Sequence, residues 1–115
     1  MATFYIFVNS NLALSKGQLC AQVSHITQII TEELVKQCYE TNPPSPDCIA
    51  YMKWKRSPKT VVLKATPNQL TTLLKHPTAR GFIDSGNRLP DDSLTVVGFY
   101  PSETMDEIVK DYKLV

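Results

Sequence analysis

Residues 3 to 8 read TFYIFV, a continuous β-branched and aromatic run without the alternation of a half-exposed strand. A strand of this kind has to be covered on both faces, which suits the centre of a sheet that carries helices on each side. It is read as the first core strand, ending in the turn-rich Asn9-Ser10-Asn11. The run is short and has no basic leader, unlike a secretory signal, and no other stretch reaches the roughly 18 apolar residues of a membrane span. Cytoplasmic residence is the expectation.

Ser15-Lys16-Gly17-Gln18 has the S-x-x-Q form of a capping box and opens helix one. Leu19, Val23, Ile26, Ile30 and Leu34 step by four and three, so one stripe faces a core through about Cys38. TNPPSPD, residues 41 to 47, breaks the helix with three prolines, and Asp47 is positioned to cap a short second helix, Cys48 to Arg56, that carries Trp54. Thr60 to Ala65 is a second strand. Thr66-Pro67 then starts a third helix with Leu70, Leu73 and Leu74 inward, ended by His76-Pro77. Gly81 to Asp84 reads as a brief strand, Leu94 to Phe99 as another, and Glu103 to Lys110 as a final helix. The order β-α-α-β-α-β-β-α predicts an α/β fold, a single domain over residues 1–115 with helices on both sides of its sheet.

A formal charge of +1 gives no general pull toward nucleic acid, so any RNA contact has to be local. Cys20, Cys38 and Cys48 are odd in number and lack a CxxC pair, which predicts reduced, buried thiols and neither a disulfide framework nor a zinc site. No G-x-S-x-G elbow and no phosphate-cradling glycine loop is present, which argues against a serine-nucleophile triad and against a nucleotide-binding role.

Gln18, Gln22 and His25, four and three residues apart, share one face at the N-terminal end of helix one. A polar face beside exposed helix N–H groups suits a phosphate or a developing oxyanion. Spacing alone favours the plainer reading, in which Gln18 closes the capping box while Gln22 and His25 are solvated or make local hydrogen bonds. Lys53, Lys55, Arg56 and Lys59, interleaved with Trp54, fit either an RNA-backbone track or a solvated face around one buried aromatic.

The segment SKGQLCAQVSH, residues 15 to 25, resembles the GKGKxAAQxSH helix opening of the archaeal and eukaryotic type of peptidyl-tRNA hydrolase. Lys16, Gly17, Ala21, Gln22, Ser24 and His25 match it. SPKTVVLKA, IDSG, TVVGFYP and the terminal DYKLV follow in the family's order, so the resemblance spans nearly the whole chain. It implies a three-layer α/β/α sandwich on a four-stranded mixed sheet, often dimeric. The implied activity is hydrolysis of the ester joining a peptide to the terminal ribose of tRNA, with no metal and no cofactor.

Asp84 matches the aspartate of the family's DAG turn, implying a role in positioning the attacking water. Thr95 matches a threonine facing the same site; read without the family, the two are a turn residue and a β-former. Two departures stand out. Gln18 occupies the position of the second, catalytic lysine of GKGK, and Lys16, the nearest replacement, leaves the helix in another direction. The loop NRLPDDS is one residue shorter than the family's, and Arg88 lies near the absent loop threonine, where it would clamp a phosphate or supply charge. The resemblance thus implies catalytic Asp84, Thr95 and Lys16, with Gln18, Gln22, His25, Arg88 and Lys59 contacting peptidyl-tRNA. The alternatives are a catalytically degenerate member that binds tRNA or protein, and an enzyme for another acyl or amide substrate.

Overall fold

The structure, a computed structural model, describes residues 1–84 and 93–115. Its elements follow the expected order: β1 (Phe4–Asn9), α1 (Lys16–Glu40), α2 (Pro46–Arg56), β2 (Thr60–Ala65), α3 (Pro67–Leu73), β3 (Ala79–Asp84), β4 (Ser93–Phe99) and α4 (Asp106–Val109). The four strands form one mixed sheet in the order β2-β1-β4-β3. β1 runs parallel to β2, with Phe4 opposite Thr60 and Asn9 opposite Ala65, and antiparallel to β4. TFYIFV therefore supplies one of the two central strands, and every residue of β1 is buried.

The sheet separates two cores. On one face Phe4, Ile6, Val8, Val96 and Tyr100 pack against Ile26, Ile30 and Leu34 of α1 and Tyr51 of α2. On the other, Phe7, Leu63, Val97 and Phe99 meet Leu70 and Leu73 of α3, with Ile108 and Val109 of α4 alongside. This is the three-layer α/β/α arrangement. Ile26, Ile30 and Leu34 are fully buried, so truncating any one to alanine costs about 2–5 kcal/mol. α1 seats closely on β4 because Gly98 has no side chain: a Cβ there would lie 2.8 Å from Ile30 Cδ1 and 2.9 Å from Ile26 Cγ1. Beyond them, Arg80 Nε donates to Glu33 Oε2 at 2.9 Å, and Tyr100 donates its hydroxyl to the same oxygen at 2.9 Å. This latch ties α1 to β3 and to the end of β4.

The expected capping box of α1 forms, and α3 has a second. Ser15 Oγ accepts from the Gln18 amide while Gln18 Oε1 accepts from Ser15 N, and Thr66 and Gln69 do the same for α3. Four expectations need correction. The cap of α2 is Ser45, whose Oγ accepts from Cys48 N at 3.2 Å, because Pro46 at the first helical position starts the helix earlier than Asp47 would. Leu74 is 38% exposed, since α3 ends at Leu73 and the chain turns away. α4 is a single turn: Ser102 Oγ accepts from Thr104 N and holds the preceding residues in a local turn.

The fourth concerns the cysteines. Cys38 and Cys48 form a disulfide with Cα atoms 5.4 Å apart, and Cys20 is exposed. Spacing in the sequence hid the pair, because the proline-rich turn folds the first turn of α2 back against the last turns of α1. Among the described residues no helix is long and apolar enough to cross a membrane.

Candidate active site

Three side chains from three elements meet at the end of the sheet where β1 finishes. Gln22, in the second turn of α1, donates from Nε2 to Asp84 Oδ2 at 2.8 Å. Its Oε1 accepts from the Thr95 hydroxyl at 2.6 Å. Asp84 closes β3 and Thr95 lies near the start of β4. The contacts fix the amide's orientation: a carboxylate only accepts, so Nε2 must face Asp84, and Oε1 is left for the hydroxyl. The result is a directed chain, Thr95 to Gln22 to Asp84.

Thr95 reaches this position through a β-bulge. Phe82 pairs with Val96 but Ile83 pairs with Leu94, so β4 holds an extra residue there, and that residue is Thr95. In a regular strand Thr95 would point with Val97 and Phe99 into the α3 core. The bulge turns it to the α1 face, beside Val96, where its hydroxyl also lies 3.2 Å from the Phe82 carbonyl. Thr95 is completely buried and Gln22 is 3% exposed. A buried polar pair is tolerable only when every group is bonded, and among the described residues no buried side-chain nitrogen or oxygen lacks a partner.

Gln22 occupies the row of Ile26, Ile30 and Leu34, each four residues on, so it belongs to the buried stripe of α1 rather than to a separate polar face. Gln18 begins that row one turn earlier, half-buried, with its Oε1 engaged by Ser15 N at 2.9 Å. His25 stacks on Phe82, ring centroids 4.8 Å apart. Gln22, Asp84 and Thr95 therefore touch directly, while His25 rests on the residue whose carbonyl accompanies Thr95.

Lys16 and Lys59 stand apart from this trio. Lys16 is exposed at the first position of α1, next to Gly17, where a Cβ would meet nothing within 4 Å. Lys59 is exposed and precedes the residue opposite Phe4, at the other end of the sheet, about 20 Å along β2 from the site. Its backbone carbonyl accepts from Trp54 Nε1 at 3.2 Å, so the Trp54 region is built around a structural aromatic, set edge-on against Phe4. Arg88 lies outside the described residues.

The sequence reading passed over Asn9. Buried at 7% exposure, it donates from Nδ2 to the Leu94 carbonyl at 2.9 Å and accepts from Asn11 N through Oδ1. It fixes the strand immediately before Thr95. A polar residue closing an otherwise apolar run was the available signal. Among the described residues no three His, Cys, Asp or Glu side chains gather as metal ligands do.

A buried threonine and glutamine bracing an aspartate at the rim of a sheet, below a helix N-terminus, form a preorganised polar site suited to acyl-ester chemistry. No curated protein matches the chain. The family model of peptidyl-tRNA hydrolase PTH2 matches residues 2–115, and with essentially its whole length the chain belongs to that family of hydrolases acting on peptidyl-tRNA.

Proposed function

We propose that this chain, as one hydrolase domain, cleaves the ester between a peptide and the terminal ribose of tRNA, releasing both. The observation that carries this reading is the hydrogen-bonded chain Thr95–Gln22–Asp84. In it the Asp84 carboxylate orients the attacking water, takes up its proton as the C–O bond forms, and returns that proton to the ribose oxygen as the ester bond breaks. Gln22 is a positioning residue: its Nε2 holds Asp84 Oδ2, and Thr95 holds its Oε1. Lys16 and the opening turn of α1 present positive charge and N–H dipoles to the carbonyl oxygen as it becomes an oxyanion. The bare Gly17 leaves that turn open to a ligand. Gln18 and His25 flank the peptidyl-tRNA end. The reading carries a homodimer with it, and it needs neither a metal nor a cofactor. Lys59 has no part in it, standing at the far end of the sheet.

A second reading is favoured by one specific observation. Gln18, at the position of the family lysine, is held in the capping box by Ser15. A neutral amide stabilises an oxyanion less than a charged donor does. The chain would then be a degenerate member that binds tRNA or protein without turnover. Release of free tRNA from purified peptidyl-tRNA separates the two readings. Turnover that disappears in Asp84→Asn supports the hydrolase; bound but uncleaved peptidyl-tRNA supports the binding module.

A further inference from the structure

The outer face of α1 and α2 carries a groove that the Thr95–Gln22–Asp84 site does not use. It encloses about 480 Å³ between Val35 and Tyr39 of α1 and Tyr51 and Met52 of α2, with Lys55 and Arg56 at one end. Three of the apolar residues stand in water: Val35 is 40% exposed, Met52 46% and Tyr39 88%. A second depression continues past Val35 to Thr31. From Thr31 to Tyr39 the groove follows α1 for about 12 Å, the length of about two helical turns.

Charge changes along the groove: Glu32 and Lys36 line the Thr31 end, and Lys55 and Arg56 the other. Lys36 pairs with Glu40 and Lys53 with Glu103. Lys55 and Arg56 take part in no ion pair among the described residues, so the α2 end of the groove is positive. The walls are also held in place, because the Cys38–Cys48 disulfide joins the two helices beside the groove. A preformed groove loses little ordering entropy when it is filled.

We propose that this groove docks a short helical segment of a partner protein, apolar at i, i+3 or i+4 and i+7, with acidic residues where it passes Lys55 and Arg56. Two turns of apolar contact along one helix face, with a charged end, is the pattern by which a groove takes an amphipathic helix. The positive end sets direction and selects acidic over basic partners. Single-stranded nucleic acid fits less well. Successive bases need successive ring faces, and of the two tyrosines here Tyr51 is buried while the other walls are aliphatic.

The test is fluorescence anisotropy of the full chain with a labelled helical peptide of about four turns, leucine on one face and glutamate elsewhere. A lysine-for-glutamate version of the peptide and a single-stranded RNA oligonucleotide serve as competitors. The glutamate peptide should bind and the lysine peptide should not. Met52→Glu with Val35→Glu, both at exposed positions, should abolish binding while the circular dichroism spectrum and melting temperature stay unchanged. Lys55→Glu with Arg56→Glu should weaken it at least about tenfold. Equal binding of both peptides, binding of neither, or retained binding in the Val35 and Met52 variant would each overturn the proposal. So would displacement of the peptide by RNA, or a shift from dimer to monomer in those variants, which would assign the groove to a second copy of this chain.

Discussion

The Thr95 hydroxyl sits 2.6 Å from Gln22 Oε1, in full burial, between a bulged strand and the helix packed on it. Thr95→Val keeps the shape and removes the donor, leaving the Gln22 carbonyl oxygen buried with nothing to accept from. Stability should fall by about 1–3 kcal/mol, read from urea denaturation. Turnover of peptidyl-tRNA should fall further than the loss of folded protein explains, because the amide that braces Asp84 is no longer held. An unchanged urea midpoint would show that this bond contributes nothing net.

Gln18→Lys makes opposite changes to two quantities. It restores a cation one helical turn before Gln22, and the rate of tRNA release should rise. It also removes the Oε1 that accepts from Ser15 N, so half of the capping box is lost and stability should drop by about 0.5–1 kcal/mol. A lower melting temperature without any gain in rate would show that the surrounding pocket has been rebuilt around the amide.

Burial, then the hydrogen bond to Glu33, holds the Tyr100 phenol above its ordinary value of 10.0. The folded state thus keeps this proton more tightly than the unfolded chain does. The stability linked to it is fully present below pH 10 and drains away as pH rises through the higher folded value. Wild type and Tyr100→Phe, compared by chemical denaturation, should run parallel through neutral pH. Their difference should change only in the alkaline range, and a difference that changes near pH 6 would contradict the assignment.

The Cys38–Cys48 bridge closes a short loop, ten residues apart in sequence, for which chain entropy gives about 3 kcal/mol. Cys38→Ser should lower the melting temperature by several degrees, and a thiol reductant should do the same to the wild type. Cys20→Ser should not, since Cys20 is exposed and unbridged. Equal melting curves with and without reductant would mean that the bridge adds no stability.

These predictions fall where local pattern and tertiary structure part. Strand β1, helix α1 and its capping box were legible because their determinants are contiguous: an apolar run, a period near 3.6, and a hydroxyl three residues before a glutamine. The family's segment order carried the three layers and the mixed sheet. Gln22 was singled out for its motif, but its place among Ile26, Ile30 and Leu34 was missed because a stripe traced by apolar type steps over a buried amide. Nor could spacing reveal that Thr95 turns to the α1 face, since that depends on one residue of mismatch with β3, sixteen or fewer positions earlier in the chain yet visible only in the pairing. Lys59 looked close to the site in a linear reading. The parallel register of β1 and β2 sends it to the opposite end.

The last residues of the chain bear on how this sheet meets other molecules. Lys113 O accepts from Lys64 N, Val115 N donates to Val62 O, and Leu114 bridges Leu63. The tail thereby lies along β2 as a partial fifth rung and occupies hydrogen-bonding positions that an edge strand would otherwise offer to a stranger. Lengthening of the sheet by another chain is steered toward β3, where the strand bears Arg80 and a break in register, features that make a poor template for templated stacking. Removing residues 113–115 would uncover those positions on β2 and leave a margin open to extension by other chains.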